Sequence, residues 1–360
     1  MKKSLIALAV LAASGAAMAQ SSVTLYGVAD AGVTYLNGKD NWSGVTSGNN
    51  LTSRLGFRGT EDLGGGLKAN FVLEGGINLD SGDGKSGGAT GTGFEFKRRS
   101  TVGLAGSFGE VRLGRELTAA YNATARYDVF GSVGIGQSRL WADGGVVDGN
   151  ANANVVTTNQ RISNALTYVS PSFSGFKVGL NYGFGETTTG NSDSGYLGAG
   201  LMYDNGPLSL GLGLERLNNG GNSVATSDVD AWSLGGSYDF GVAKLLGGYR
   251  VSTVDRATGE NKRNGAYVAV TAPVGPGLVR ASYNRYENKL NGGKTKADQL
   301  AVGYVYGLSK RTSVYGTYSY LKQKDFNDGV PAAAMYTLGN GGLKASGKQQ
   351  GFQVGISHTF

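Results

Sequence analysis

Apolar side chains recur at every second position along nearly the whole chain, in runs of about ten residues that each end in a turn or loop. Period two is the signature of an extended strand whose two faces meet different surroundings. In 176–184, Phe176, Val178, Leu180, Tyr182 and Phe184 alternate with Lys177, Gly179, Asn181 and Gly183. In 208–215, Leu208, Leu210, Leu212 and Leu214 alternate with Ser209, Gly211, Gly213 and Glu215. At the end, Phe352, Val354, Ile356, His358 and Phe360 share one face. Sixteen such runs are placed near 22–36, 53–61, 67–79, 97–106, 110–116, 161–170, 175–185, 195–204, 208–217, 230–240, 242–254, 265–273, 278–287, 298–308, 312–323 and 351–360. Short turns such as Asp62–Gly66, Asn205–Pro207 and Pro273–Gly277 alternate with long loops at 38–52, 80–96, 117–160, 186–195, 218–229, 255–264, 288–297 and 325–349. An even strand count puts both ends on one side, as closure of the sheet requires.

A soluble sandwich also alternates. Three features favour a membrane barrel instead. The polar face is rich in Gly, Ser, Asn and charge, as a wetted lumen is. Aromatics recur near strand ends, and short turns alternate with long loops, the pattern of a bacterial barrel with periplasmic and outer ends. The expected fold is all-β: one membrane-spanning, 16-stranded antiparallel β-barrel, wide enough for an aqueous channel. It is expected to lack a large central core and to be held by a closed hydrogen-bond ladder and a lipid-facing band. The mean hydropathy of −0.18 fits, because half of each strand faces water. The 63 glycines and absence of cysteine also suit this class, and exclude a disulfide-stapled fold.

Met1-Lys2-Lys3, the apolar run Leu5–Ala13 and Ala17-Met18-Ala19 form an export signal with a small-x-small cleavage site. The run is too short to cross a bilayer as a helix. Residues 1–19 are expected to be removed, leaving 20–360 as a single domain. Loss of Lys2 and Lys3 takes the formal charge from +7 to +5, with 31 basic and 26 acidic residues. No basic run exceeds Lys97-Arg98-Arg99, so no nucleic-acid partner is expected; the excess reads as positive potential inside a pore. The one histidine, His358, lies on the apolar face. With no cysteine and no second histidine, no catalytic pair, metal site or cofactor is expected. An outer-membrane enzyme and a plugged, adhesive or structural barrel are the rival readings.

Several stretches resemble the general porins of Gram-negative bacteria, the proteobacterial branch close to the neisserial trimeric porins. They are Ser22-Val-Thr-Leu-Tyr-Gly-Val-Ala-Asp-Ala-Gly32, the hairpin Ser53-Arg-Leu-Gly-Phe-Arg-Gly-Thr-Glu-Asp-Leu-Gly-Gly-Gly-Leu-Lys-Ala69, the turn Tyr306-Gly-Leu-Ser-Lys-Arg-Thr312 and the terminal Phe360. The resemblance covers the mature chain in order. It implies passive diffusion of small hydrophilic solutes and ions through a homotrimer in the outer membrane, among lipid and lipopolysaccharide. It implies that the third long loop, 117–160, folds into the lumen, and that Phe360 is read by the barrel assembly machinery.

The resemblance also implies a constriction in which wall arginines face loop carboxylates. Arg54, Arg98 and Arg161 match the family's arginines on the second, fourth and sixth strands, and Arg115 resembles the residue leading into the loop. Alternation agrees for 53–61: Leu55 and Phe57 define the outer face, so Arg54 and Arg58 point inward. An arginine or lysine on the lipid face costs about 2–4 kcal/mol at mid-membrane. Lys68, Glu74 and Arg112 also fall on the lumen side. The expected basic wall is therefore Arg54, Arg98, Arg161, Lys68 and Arg112, with Glu116 and Asp128 as loop acids. Two departures stand out: Arg98 is followed by Arg99 where the family has glutamine, and the loop carries Tyr127-Asp128-Val129-Phe130-Gly131 with Arg126 and Arg139 rather than an acidic tip. The expected outcome is a mild anion preference.

Overall fold

The structure is a computed structural model that describes residues 22–84, 93–141, 160–185, 195–218, 227–256, 259–290, 293–324 and 337–360. The expected signal, 1–19, and the loop acids Asp143 and Asp148 lie outside these residues. The strands are β1 (Ser22–Asn37), β2 (Asn41–Ser47), β3 (Arg54–Gly64), β4 (Leu67–Gly76), β5 (Arg99–Gly106), β6 (Gly109–Leu117), β7 (Arg161–Val169), β8 (Phe176–Gly183) and β9 (Tyr196–Asn205). They continue as β10 (Leu208–Leu217), β11 (Ser227–Asp239), β12 (Lys244–Arg256), β13 (Gly259–Val274), β14 (Gly277–Leu290), β15 (Gly293–Gly307), β16 (Thr312–Lys324) and β17 (Lys348–Thr359).

Pairing is antiparallel throughout. β17 returns to β1, with Val28 opposite Thr359 and Asn37 opposite Gln350, so the sheet closes. Closure leaves no strand edge, the condition for crossing hydrocarbon with strands. β2 and β3 both pair with β1, β2 along 31–37 and β3 along 22–28. They are two halves of one broken stave, so the barrel has sixteen staves. Leu25, Val102, Leu113, Leu197, Leu234, Leu300 and Phe352 stand exposed on the outer face.

Three expected loops differ. Segment 38–52 holds β2, because Trp42, Gly44 and Thr46 still alternate with Ser43 and Val45. The chain then turns inward at 48–53, where Asp30 accepts backbone N–H groups of Asn49 (2.7 Å), Asn50 (3.2 Å) and Leu51 (3.0 Å). Most of 255–264 and 288–297 is strand as well: β13 to β15 run far past the apolar band. Their outward residues there are charged, which hides the alternation from any hydropathy reading.

The interior is not empty. After β6, Thr118 caps the short helix α1 (Ala119–Thr124), a 3-10 turn follows at Ala125–Tyr127, and the chain to Trp141 runs along the inner wall. It lies on glycines. A Cβ built on Gly200 would sit 2.2 Å from the Ala119 carbonyl oxygen, and one on Gly211 2.1 Å from that of Ala123. Many glycines on the polar face are thus the floor of a docked segment rather than wetted surface. Further along, Tyr127, Leu140 and Trp141 form an apolar cluster with Leu246, Tyr267, Ala269, Tyr286 and Ala297. This local core was not anticipated. Nor were the inward aromatics: Tyr196, Tyr267, Tyr286 and Tyr315 are all buried.

Candidate functional site: the charged pore wall

The inner face of β3 to β7 gathers five arginines and three glutamates. Glu74, on β4, is the first hub. Arg98 Nε donates to its Oε1 at 2.7 Å, Arg54 Nε lies 3.7 Å from its Oε2, and the Tyr26 hydroxyl donates to it at 3.1 Å. Arg161 joins through Nε, which donates to the Arg98 carbonyl at 2.8 Å. Arg54, Arg98 and Arg161 are therefore brought together. Glu116 is the second hub, with Arg112 at 2.8 Å and Arg99 at 3.8 Å, while Arg112 also bonds Glu110 at 3.0 Å. Alternation explains Arg99 and Arg112: Val102, Leu104 and Leu113 face outward, so Arg99, Thr101, Gly103 and Arg112 face in; Arg98 precedes β5 and is held by its backbone N–H donating to the Glu74 carbonyl at 3.1 Å.

The remaining expected residues fall differently. Lys68 faces the lumen on β4 but lies six residues from Glu74, about 20 Å at roughly 3.3 Å per strand residue, and is not part of the cluster. Glu116 belongs to β6, not to the loop, and is buried against its arginines on the same wall. Asp128 is in the loop segment, but its carboxylate accepts the backbone N–H groups of Phe130 (2.9 Å), Ser132 (3.0 Å) and Ser138 (2.9 Å). It ties a turn together instead of facing water. Burial pushes its pKa up to about 6, against the pull of those donors and of Arg280. Arg58 lies over the Tyr26 ring at 5.2 Å, and Arg115 Nε donates to the Lys97 carbonyl. Phe360 exchanges backbone hydrogen bonds with Gly27 across the closing seam.

Sequence reasoning missed Arg99. The signal was present: Arg99 has the parity of Thr101, opposite to Val102 and Leu104. It also missed Arg250, which meets Glu215 at 2.8 Å beside α1, and Arg280, whose guanidinium covers Phe130 at 4.5 Å and donates to the Val129 carbonyl. Arg126 pairs with Asp204 of β9.

A closed sixteen-stave barrel with a charged inner wall and an inward-lying third connection matches a described family. The model for Gram-negative porins matches residues 5–328. The chain is a Gram-negative porin. It is 46% identical to an outer membrane porin protein of Delftia acidovorans, over 100% of both chains. It is 29% identical to a major outer membrane protein of Neisseria gonorrhoeae, over 89% of this chain and 94% of the other. Among solved structures, an anion-selective porin from Comamonas acidovorans is 42% identical, covers 95% of this chain and 100% of its own, and superposes with a TM-score of 0.79. This porin is thus an outer-membrane, multi-pass barrel of a channel family that is not enzymatic, with its short turns periplasmic and its long loops outside.

Proposed function

We propose that this porin passes small hydrophilic solutes with a preference for anions, and that its filter is the wall bearing Arg54, Arg98, Arg99, Arg112 and Arg161, narrowed by segment 118–141. The observation carrying this reading is the charge count at the wall: five arginines against Glu74, Glu110 and Glu116. The carboxylates neutralise part of the wall from within it. In segment 118–141, Arg126 is paired with Asp204 of β9, Arg139 remains, and the one carboxylate, Asp128, has its oxygens occupied by backbone. The remaining potential is positive, which concentrates anions and repels cations. The anion-selective structural relative points the same way.

The test is the reversal potential in a salt gradient across a planar bilayer. Arg54→Gln, Arg98→Gln and Arg161→Gln together should move it toward cations while conductance stays large. An unmoved reversal potential would remove these residues from the filter. The same reading takes residues 1–19 as a cleaved signal, Phe360 as the signal for the assembly machinery, and the chain as a homotrimer without catalytic activity, cofactor or metal. The exposed outer face of β1, where Val23, Leu25 and Val33 stand more than half exposed, is the proposed trimer contact. Deleting Phe360 should lower outer-membrane levels, read by blotting membrane fractions, more than it lowers the heat stability of barrel already folded.

A further inference from the structure

One carboxylate lies beneath both sides of the narrow point. Asp30, on β1, is fully buried. Its oxygens take four donors: the backbone N–H groups of Asn49 at 2.7 Å, Asn50 at 3.2 Å and Leu51 at 3.0 Å, and the Tyr315 hydroxyl at 2.8 Å. Successive backbone N–H groups closing on one anion form a nest, and each bond is charge-assisted. Gly355 leaves the space for it, since a Cβ there would lie 2.3 Å from the Tyr315 oxygen. The backbone of Asp30 is engaged as well. Its N–H donates to Ser53 Oγ at 3.0 Å, and its carbonyl accepts from Ser53 Oγ and from the Gly48 N–H, both at 2.8 Å. Both ends of turn 48–53 are thus tied to a single residue.

That turn meets each side of the pore. Toward segment 118–141 it presents carbonyl oxygens. A Cβ on Gly134 would lie 2.3 Å from the Asn49 carbonyl oxygen, and one on Gly131 4.0 Å from that of Asn50. Both glycines have positive φ, +66° and +64°. The tip of the segment therefore lies as bare backbone against the turn, and Gly131 itself is exposed to the lumen. Toward the charged wall the turn runs straight into β3: Ser53, which bonds Asp30 twice, is followed by Arg54. The Ser53 carbonyl also accepts the Ile77 N–H at 3.1 Å, just beyond β4, the strand that carries Glu74.

We propose that Asp30 is a positioning residue for the pore: through turn 48–53 it holds the tip of 118–141 and the Arg54 end of β3 at a fixed separation, and so sets the bore. The proposal rests on the reading of 118–141 as the narrowing segment, and not on whether the arginines select anions. A carboxylate is required because its two oxygens offer about four acceptor sites, one for each donor. Asparagine offers one oxygen, and its amide would set a donor against buried N–H groups. Those groups would lose their partners, and the turn its single seat. Asp30 is shut away from solutes, so it acts on the bore through the turn.

The experiment uses the folded porin in a planar bilayer. Bore is read as single-channel conductance and as the largest member of a graded polyethylene glycol series that still enters and lowers it, a neutral measure that charge selectivity does not move. The parent should show one conductance level and a sharp polymer cut-off. Asp30→Asn should lose both while the barrel keeps its heat-resistant mobility in detergent, and Tyr315→Phe, which removes one donor and leaves the nest, should lose them in part. Gly134→Ala presses on the same Asn49 carbonyl, so joining it to Asp30→Asn should add nothing to the loss from either alone. Should Asp30→Asn not fold, the other two variants decide, and a parental bore in both overturns the proposal. A parental bore in Asp30→Asn beside a broadened one in Gly211→Val, which unseats α1, overturns it and spares the narrowing segment. A parental bore in both removes that segment from the pore, and the proposal with it. Fully additive losses, or a moved reversal potential with the single level intact, would likewise overturn it, the latter making Asp30 a pore charge.

Discussion

At the residue scale, the filter is an exercise in parity. One position along a strand moves a side chain from water to lipid, so the same arginine is either a pore charge or a severe fault. Arg99 falls on the water side. Arg99→Gln is expected to shift reversal potential toward cations by about as much as Arg98→Gln, and Glu74→Gln to shift it toward anions, both read in the same salt gradient. Asp128 makes a different prediction. Its pKa in the folded chain, about 6, exceeds its unfolded value, so folding favours the protonated form. The buried charge weighs fully against the seated loop above that value, and the penalty fades as pH falls through it. Current noise from loop 118–141 should therefore diminish on going from about pH 7.5 to about pH 5. Asp128→Asn should flatten that dependence; a variant as pH-sensitive as the parent would contradict it.

At the element scale, the docked segment depends on small residues on both partners. Ala119, Ala120 and Ala123 lie against Gly179, Gly200, Gly211 and Gly213, and at Gly200 and Gly211 the closest approach is to a backbone carbonyl oxygen that cannot swing aside. Gly211→Val should cost the seated loop about 1–3 kcal/mol, the usual range for overpacking. It should broaden the single-channel conductance distribution and expose 118–141 to added protease, while the barrel keeps its heat-resistant mobility in detergent. The staves themselves were legible because burial on one side and lipid on the other imposed period two directly. β2 and the upper parts of β13 to β15 were not, since the ladder continues past the apolar band and outward residues there are polar. Segment 118–141 was legible only as a long connection. Its path is fixed by glycines whose spacing also suits an open, wet lumen, and the sequence does not distinguish an absent side chain facing water from one facing a helix.

At the scale of the whole molecule, the barrel separates support from selection. Closure of β17 on β1 supplies the frame, and the charges that act on solutes hang from its inner face. Selectivity should consequently be tuned by salt without loss of structure: the anion preference should shrink between about 0.1 M and 1 M salt, as the screening length falls from about 10 Å to about 3 Å, with conductance steps still uniform. A preference unchanged over that range would point to size rather than charge. The glycine floor beneath α1 carries one more implication. It is a cast of the segment that lies on it, preserved in strands distant from that segment in the chain. A related barrel with bulky residues at the positions of Gly200 and Gly211 has no room for a helix there and must route its connection elsewhere, so the bore of such a channel is written in its staves, even where the connecting loop shares no recognisable sequence.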